Sequence, residues 1–148
     1  MAVRTLRELD KMIRNEISKV LVKEVAAEVK KVESENIEQT VYNVYEPTVY
    51  ERRGEEDGGL GDIDNMVVEL TDEMTLRVSN RTPPHPGYKH DALTKSYIDE
   101  AVEYGEKYDY YNPGERPFTQ ETVKDLKANK QHIDAMKEGL RKAGLSVK

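Results

Sequence analysis

Carboxylates and histidines are the side chains of this sequence suited to metal binding or acid–base catalysis. The segment Gly54-Glu55-Glu56-Asp57-Gly58-Gly59-Leu60-Gly61-Asp62-Ile63-Asp64 sets five carboxylates among four glycines. Oxygen ligands on a turning backbone are what a calcium ion takes. The order does not fit the ligand positions of an EF-hand loop. It is also one residue out of step with the calcium-binding nonapeptide, which works in stacked copies. His85 and His90 lie in a run broken by Pro83, Pro84, Pro86 and Gly87, with Asp91 adjacent. A helical metal pair sits one turn apart on a rigid face, which this run does not supply. Catalytic groups must be held to within about half an ångström. Asp57, Asp62, Asp64, His85 and His90 all occupy glycine- or proline-rich stretches. The expectation is no catalytic residue, no cofactor and no metal site, with the acidic segment a mobile loop that a neighbouring subunit orders. The chain has no cysteine, which removes disulfides, thiolate zinc sites and cysteine nucleophiles.

The elements that carry these loops are clearer. Thr5-Leu6-Arg7-Glu8 has the spacing of a capping box. Leu6, Leu9, Ile13, Ile17, Val20, Leu21, Val25, Val29 and Val32 follow at helical steps and predict an amphipathic helix from about Thr5 to about Glu33. Ser34-Glu35-Asn36 should loosen it. The next stretch, Thr40 to Tyr50, is β-branched and aromatic, and Pro47 keeps it out of a sheet interior. It reads as an extended arm spanning about residues 40–53. Tyr42, Tyr45 and Tyr50 fit a subunit interface or packing on the domain's own helices. Arg52 and Arg53 are placed to meet an acidic loop of another copy.

Met66 to Val78 predicts a hairpin with a Thr71-Asp72-Glu73 loop. Leu70 would pair with Met74, Val68 with Leu76 and Met66 with Val78, all on one face. Thr94 can cap a short helix that stops at Gly105. Tyr108, Tyr110 and Tyr111 form a hinge. Pro117 then introduces a last helix from about Thr119 to about Ala143, with Thr119 as its cap. Its stripe is Val123, Leu126, Ile133, Met136 and Leu140, the stem of Lys130 covers the gap, and Gly144 stops it. Phe118 should staple onto Val123, and Arg116 should reach Glu103 or another subunit.

The chain has 148 residues, of which 36% are hydrophobic and 35% charged, with no Trp and one Phe. These predict a single domain of α+β class: two long amphipathic helices packed on a small antiparallel sheet, with a short helix and extended loops. So thin a core suggests stabilisation by neighbouring subunits. A net charge of −6 argues against sequence-independent grip on phosphate backbones. No apolar run reaches the roughly eighteen residues that span a bilayer, and the first residues lack a signal-peptide pattern.

Val102-Glu103-Tyr104-Gly105, followed after a loop by Arg116-Pro117-Phe118 and an amphipathic helix, resembles a family of tailed-bacteriophage neck and tail-completion proteins. Gly59-Leu60-Gly61-Asp62 is similar to a step before that family's hairpin, though it lacks the threonine found there. Tyr45 to Arg53 looks like the corresponding segment of prophage members from Gram-positive hosts. The resemblance runs from Tyr45 to Lys142. It implies a non-enzymatic structural subunit that forms a ring of its own copies at the head–tail joint. The neighbours would be head-completion and tail-tube or tail-terminator proteins. The protein would be made in the host bacterial cytoplasm and reside in the virion. It could line a DNA path without binding nucleic acid specifically, and it would not engage a membrane. The alternative is a small phage-encoded binding module that inhibits a host protein. The interface candidates are Tyr42, Tyr45, Tyr50, Arg52, Arg53, Tyr108, Tyr110, Tyr111, Arg116 and Phe118.

Overall fold

Thr5 opens the chain's longest element with the expected reciprocal cap. Its hydroxyl accepts the Glu8 N–H at 3.2 Å, and the Glu8 carboxylate accepts the Thr5 N–H at 3.2 Å. From there helix α1 runs over residues 6–42, 37 residues in all. The structure, a computed structural model, describes residues 5–44, 46, 52–54, 57–84, 97–105 and 114–148. His85, His90, Thr94, Tyr45, Pro47, Tyr50, Tyr108, Tyr110 and Tyr111 lie outside the described residues.

Helix α1 does not loosen at Ser34-Glu35-Asn36, where two of those side chains find tertiary partners that hold the turn in place. Ser34 Oγ donates to the Gly61 carbonyl at 2.8 Å. Asn36 Nδ2 donates to the Val32 carbonyl at 3.0 Å and to Asp125 Oδ2 at 2.9 Å. Thr40, Val41 and Tyr42, expected in an extended arm, are therefore the last turn of the helix. The helix widens at Leu21–Val25 and again at Glu38–Tyr42. There Ala26 N–H reaches back to Leu21 O and Asn43 N–H to Glu38 O. Each wide turn holds one extra residue and rotates the face that follows it.

Strands β1 (Met66–Asp72) and β2 (Thr75–Asn80) form the antiparallel hairpin. The pairs are Met66 with Asn80, Val68 with Val78, Glu69 with Arg77 and Leu70 with Leu76. The register thus differs by two residues from the expected one. A shift of two preserves the apolar face, so Met66, Val68, Leu70, Leu76 and Val78 still lie together. The turn is tighter than the three-residue loop expected. An irregularity between Leu70 and Asp72 absorbs one residue, and Asp72 pairs with Thr75. Asp72 Oδ1 accepts the Met74 N–H at 2.8 Å. That bond, with one from Thr75, holds the exposed carboxyl below the usual range. The hairpin lies along α1. At its base Asn80 Nδ2 donates to Glu33 Oε1 at 3.3 Å; at its tip Ser18 Oγ donates to the Glu73 carbonyl at 2.5 Å.

Helix α2 spans Asp99–Tyr104, and Gly105 ends it at φ 65°. The predicted last helix is two: α3 (Phe118–Asn129) and α4 (Gln131–Lys142). Lys130 between them has φ 56° and ψ 23°, the left-handed region, so its stem does not bridge a continuous stripe. Both helices return along α1. Gly139 marks the close crossing, where an added Cβ would stand 2.5 Å from Val20 Cγ1. Gly144 closes α4 as expected, with its N–H on Arg141 O at 2.9 Å and that of Leu145 on Leu140 O at 3.0 Å.

The architecture is α+β, with four α-helices and one two-stranded antiparallel sheet among the described residues. The core lies at the C-terminal end of α1, where Ile37, Val41, Leu60, Met66, Val102 and Phe118 meet, with Tyr42, Val78 and Ile98 around them. The segment 57–65 is not a loose loop but a wall of this core. Lys30 Nζ donates to Ile63 O at 3.1 Å, and the Gly61 N–H donates to Tyr42 Oη at 2.9 Å. The Asp62 carboxylate accepts the Gly58 and Asp64 N–H groups at 2.9 and 3.0 Å.

Candidate assembly interface

The two resembling motifs form one joint. In Val102-Glu103-Tyr104-Gly105, Val102 enters the core and its carbonyl accepts the Arg116 N–H at 3.1 Å. Glu103 turns its carboxylate to the start of α3, accepting the N–H of Thr119 at 2.9 Å and of Gln120 at 3.3 Å. It satisfies two of the amides that a helix start leaves unpaired, and it places a negative charge at the positive end of the helix dipole. A side chain from α2 thus caps α3, and no side-chain cap bond comes from the local residue. Thr119, expected in that role, is instead a recipient. Gly105 is packed against the other motif: an added Cβ would lie 2.4 Å from the Gly114 backbone. With φ 65° as well, the site admits glycine for two separate reasons.

Pro117 makes the turn itself. Its φ of −79° and ψ of 63° form an inverse γ-turn, closed by Phe118 N–H on Arg116 O at 2.8 Å. That turn drives the Phe118 ring into the core, where it is 1% exposed. Val123, the expected staple partner, is exposed. The ring packs with Ile37, Val41, Leu60, Met66 and Val102 instead. Arg116 is buried too. Both are among the interface candidates named from the sequence, and in this chain both side chains are buried.

Behind the joint lies Glu33, buried at 6% exposure. Burial pushes its carboxyl pKa up; the Asn80 amide opposes this, while Asp99 and Glu103 add to it and Lys30 opposes it. Among the described residues no group of three or more His, Asp or Glu is placed to hold a metal ion.

The described part of the tyrosine arm makes contacts within the chain. Tyr42 receives the Gly61 N–H, and its ring lies under the Arg52 guanidinium at 5.1 Å. Arg52 Nη1 donates to the Tyr42 carbonyl at 2.9 Å, and Arg53 Nη2 to the Pro83 carbonyl at 2.6 Å. Tyr45, Tyr50, Tyr108, Tyr110 and Tyr111, the other interface candidates, fall outside the described residues.

The surface that the sequence reasoning missed is at the opposite end. Residues 5–12 of α1 are all exposed, and Leu6 is 86% so. Leu9 and Met12 continue an apolar stripe in water. The hairpin tip meets α1 just after this stretch: Arg14 Nη1 lies 3.5 Å from Met74 Sδ, and Met74 and Leu70 are exposed. The signal was present, since the stripe starts at Leu6. Periodicity shows that a helix has an apolar face but not whether its own chain is long enough to cover it.

Searches among curated proteins and among solved structures find no match. Among the described residues no helix is long and apolar enough to cross a membrane. A family model matches residues 5–142, from the Thr5 cap to the end of α4, and the chain belongs to that family, YomN, a phage-derived family of Bacillus.

Proposed function

We propose that the chain is a structural subunit of the phage neck, or head–tail connector, that completes the tail by forming a ring of its own copies at the head–tail joint. The phage-derived family supplies the context. The observation that carries the reading is the uncovered apolar start of α1, where Leu6, Leu9 and Met12 are exposed. A lone subunit leaves this surface in water, and apolar surface gathered at one end marks a place of contact. The role is non-enzymatic. Its partners are other copies of the chain, a head-completion protein on one side and a tail-tube or tail-terminator protein on the other. With a net charge of −6, a ring of such subunits can line a DNA path without gripping phosphates.

Size-exclusion chromatography with light scattering, followed by negative-stain imaging, tests this. A closed ring of many copies, later located at the neck of disrupted virions, is the expected result. A monomer or tight pair at all concentrations, absent from particles, would favour the small inhibitor of a host protein.

A further inference from the structure

We propose that a lysine-rimmed groove along α1 is the seat for the acidic tyrosine surface of α2 on the next copy, so that subunits join head to tail. This rests on the ring-subunit reading above and names the surface that would propagate it. The groove has a volume of about 530 Å³. Val22, Ala26 and Ala27 of α1 and Ile63 and Val68 across from them form its apolar lining. Ala27 is exposed and small, which leaves room for a large side chain from elsewhere to approach the helix, while Ala26 is buried. Val22 and Ile63 are exposed in the single chain.

Lys23, Lys30 and Lys31 surround this lining, with Glu35 the one carboxylate among the groove residues. Lys30 braces the far wall through its 3.1 Å bond to the Ile63 carbonyl. Lys31 stands 4.0 Å from Glu35, and both side chains are largely in solvent. In a chain of net charge −6, three lysines about an apolar floor select an occupant that is both acidic and apolar.

The chain presents such a surface on another element. Glu100 and Tyr104 are four residues apart on α2 and share a face. Tyr97 stands three residues before Glu100 at the start of the helix. All three are exposed. A tyrosine covers apolar lining with its ring and keeps a hydroxyl for the rim, which is why tyrosine is enriched at interfaces. Glu100 supplies the charge opposite to Lys23 and Lys31. Because groove and stripe are different surfaces, each added copy buries one groove and offers another. That is a heterologous contact, which ends only when a ring closes.

Charge reversal tests the pairing. Lys31→Glu and Glu100→Lys change exposed side chains, and melting curves near the parent's confirm that each variant folds. Lys23→Glu is a second, independent variant of the groove. Each single reversal is expected to raise the concentration at half assembly by at least about tenfold, read by light scattering. The double variant Lys31→Glu/Glu100→Lys is expected to recover the parent's assembly. If the single variants assemble like the parent, or the double variant fails to recover, the groove is not the seat of α2 although the ring stands. If the parent itself stays at subunit mass, the ring reading fails and this inference with it.

Discussion

Phe118 and Ile133 show how far apart two apolar residues of similar sequence context end up. Phe118 is fixed in the core by the γ-turn at Pro117, and Phe118→Ala should cost about 3–5 kcal/mol, measured by urea or thermal melting. Ile133 belongs to the stripe expected to be buried, yet it is 41% exposed. Ile133→Asp should therefore change the stability of the isolated chain by roughly 1 kcal/mol or less; a collapse in melting temperature would mean that Ile133 is buried after all. That Phe118 matters could be seen in the sequence, since it is the one phenylalanine and follows Pro117. Its partners could not, because Val102 and Met66 reach it only through tertiary folding. Glu33 contributes a pH dependence. Its folded pKa is raised by burial, so its contribution to stability is fully present below the unfolded carboxyl pKa and is lost as pH rises through the folded value. Glu33→Gln keeps an oxygen for Asn80 and removes the buried charge. Its melting temperature should exceed the parent's at pH 7, and the difference should vanish near pH 4.

At the level of elements, two ends are held by unusual means, and each gives a measurable outcome. Glu103→Ala removes the charge that binds two N–H groups at the start of α3. The loss should be about 1–3 kcal/mol by chemical denaturation, the range for a helix cap bonded through a charged group. Lys130 stands in a left-handed conformation that costs a side-chain-bearing residue about 1–2 kcal/mol. Lys130→Gly should relieve most of this and raise the melting temperature; a fall would mean that the lysine side chain holds the corner. Around Lys130 the sequence shows only the seven-residue gap between Leu126 and Ile133, which a continuous helix also tolerates, and neither Gly nor Pro is present. The Thr5 cap and the Gly105 and Gly144 stops, by contrast, are local chemistry and stand where the sequence puts them. The hairpin lies between these cases. Its apolar face follows from alternation alone, while its register depends on a bulge near Thr71, and a slip of two leaves the alternation unchanged. The wide turns of α1 are of the hidden kind as well. They belong to backbone packing and leave no mark in residue type, yet the traced stripe still meets the interior beyond them, where Val25 and Val32 are buried.

For the whole molecule, the α+β class follows from periods of two and of three to four in the sequence. The uncovered end follows only from seeing where the covering elements stop. Replacing Leu6 and Leu9 together by Gln should leave the melting temperature within a few degrees of the parent's, since both are already in water. It should also reduce assembly, read as a fall in scattering mass. Equal mass for variant and parent would remove this end from the interface. The cap across the joint has a consequence for how events at one surface are felt at another. The amides of Thr119 and Gln120 are bound to a carboxylate that arrives from another helix, 16 and 17 residues earlier in the chain. They can exchange their hydrogens with solvent only when α2 draws back or α3 frays. A ligand that presses α2 inward would slow both exchange rates together, and one that pulls it outward would quicken them. The pair is thus a built-in gauge of load on α2, readable by hydrogen–deuterium exchange at two positions that no partner needs to touch.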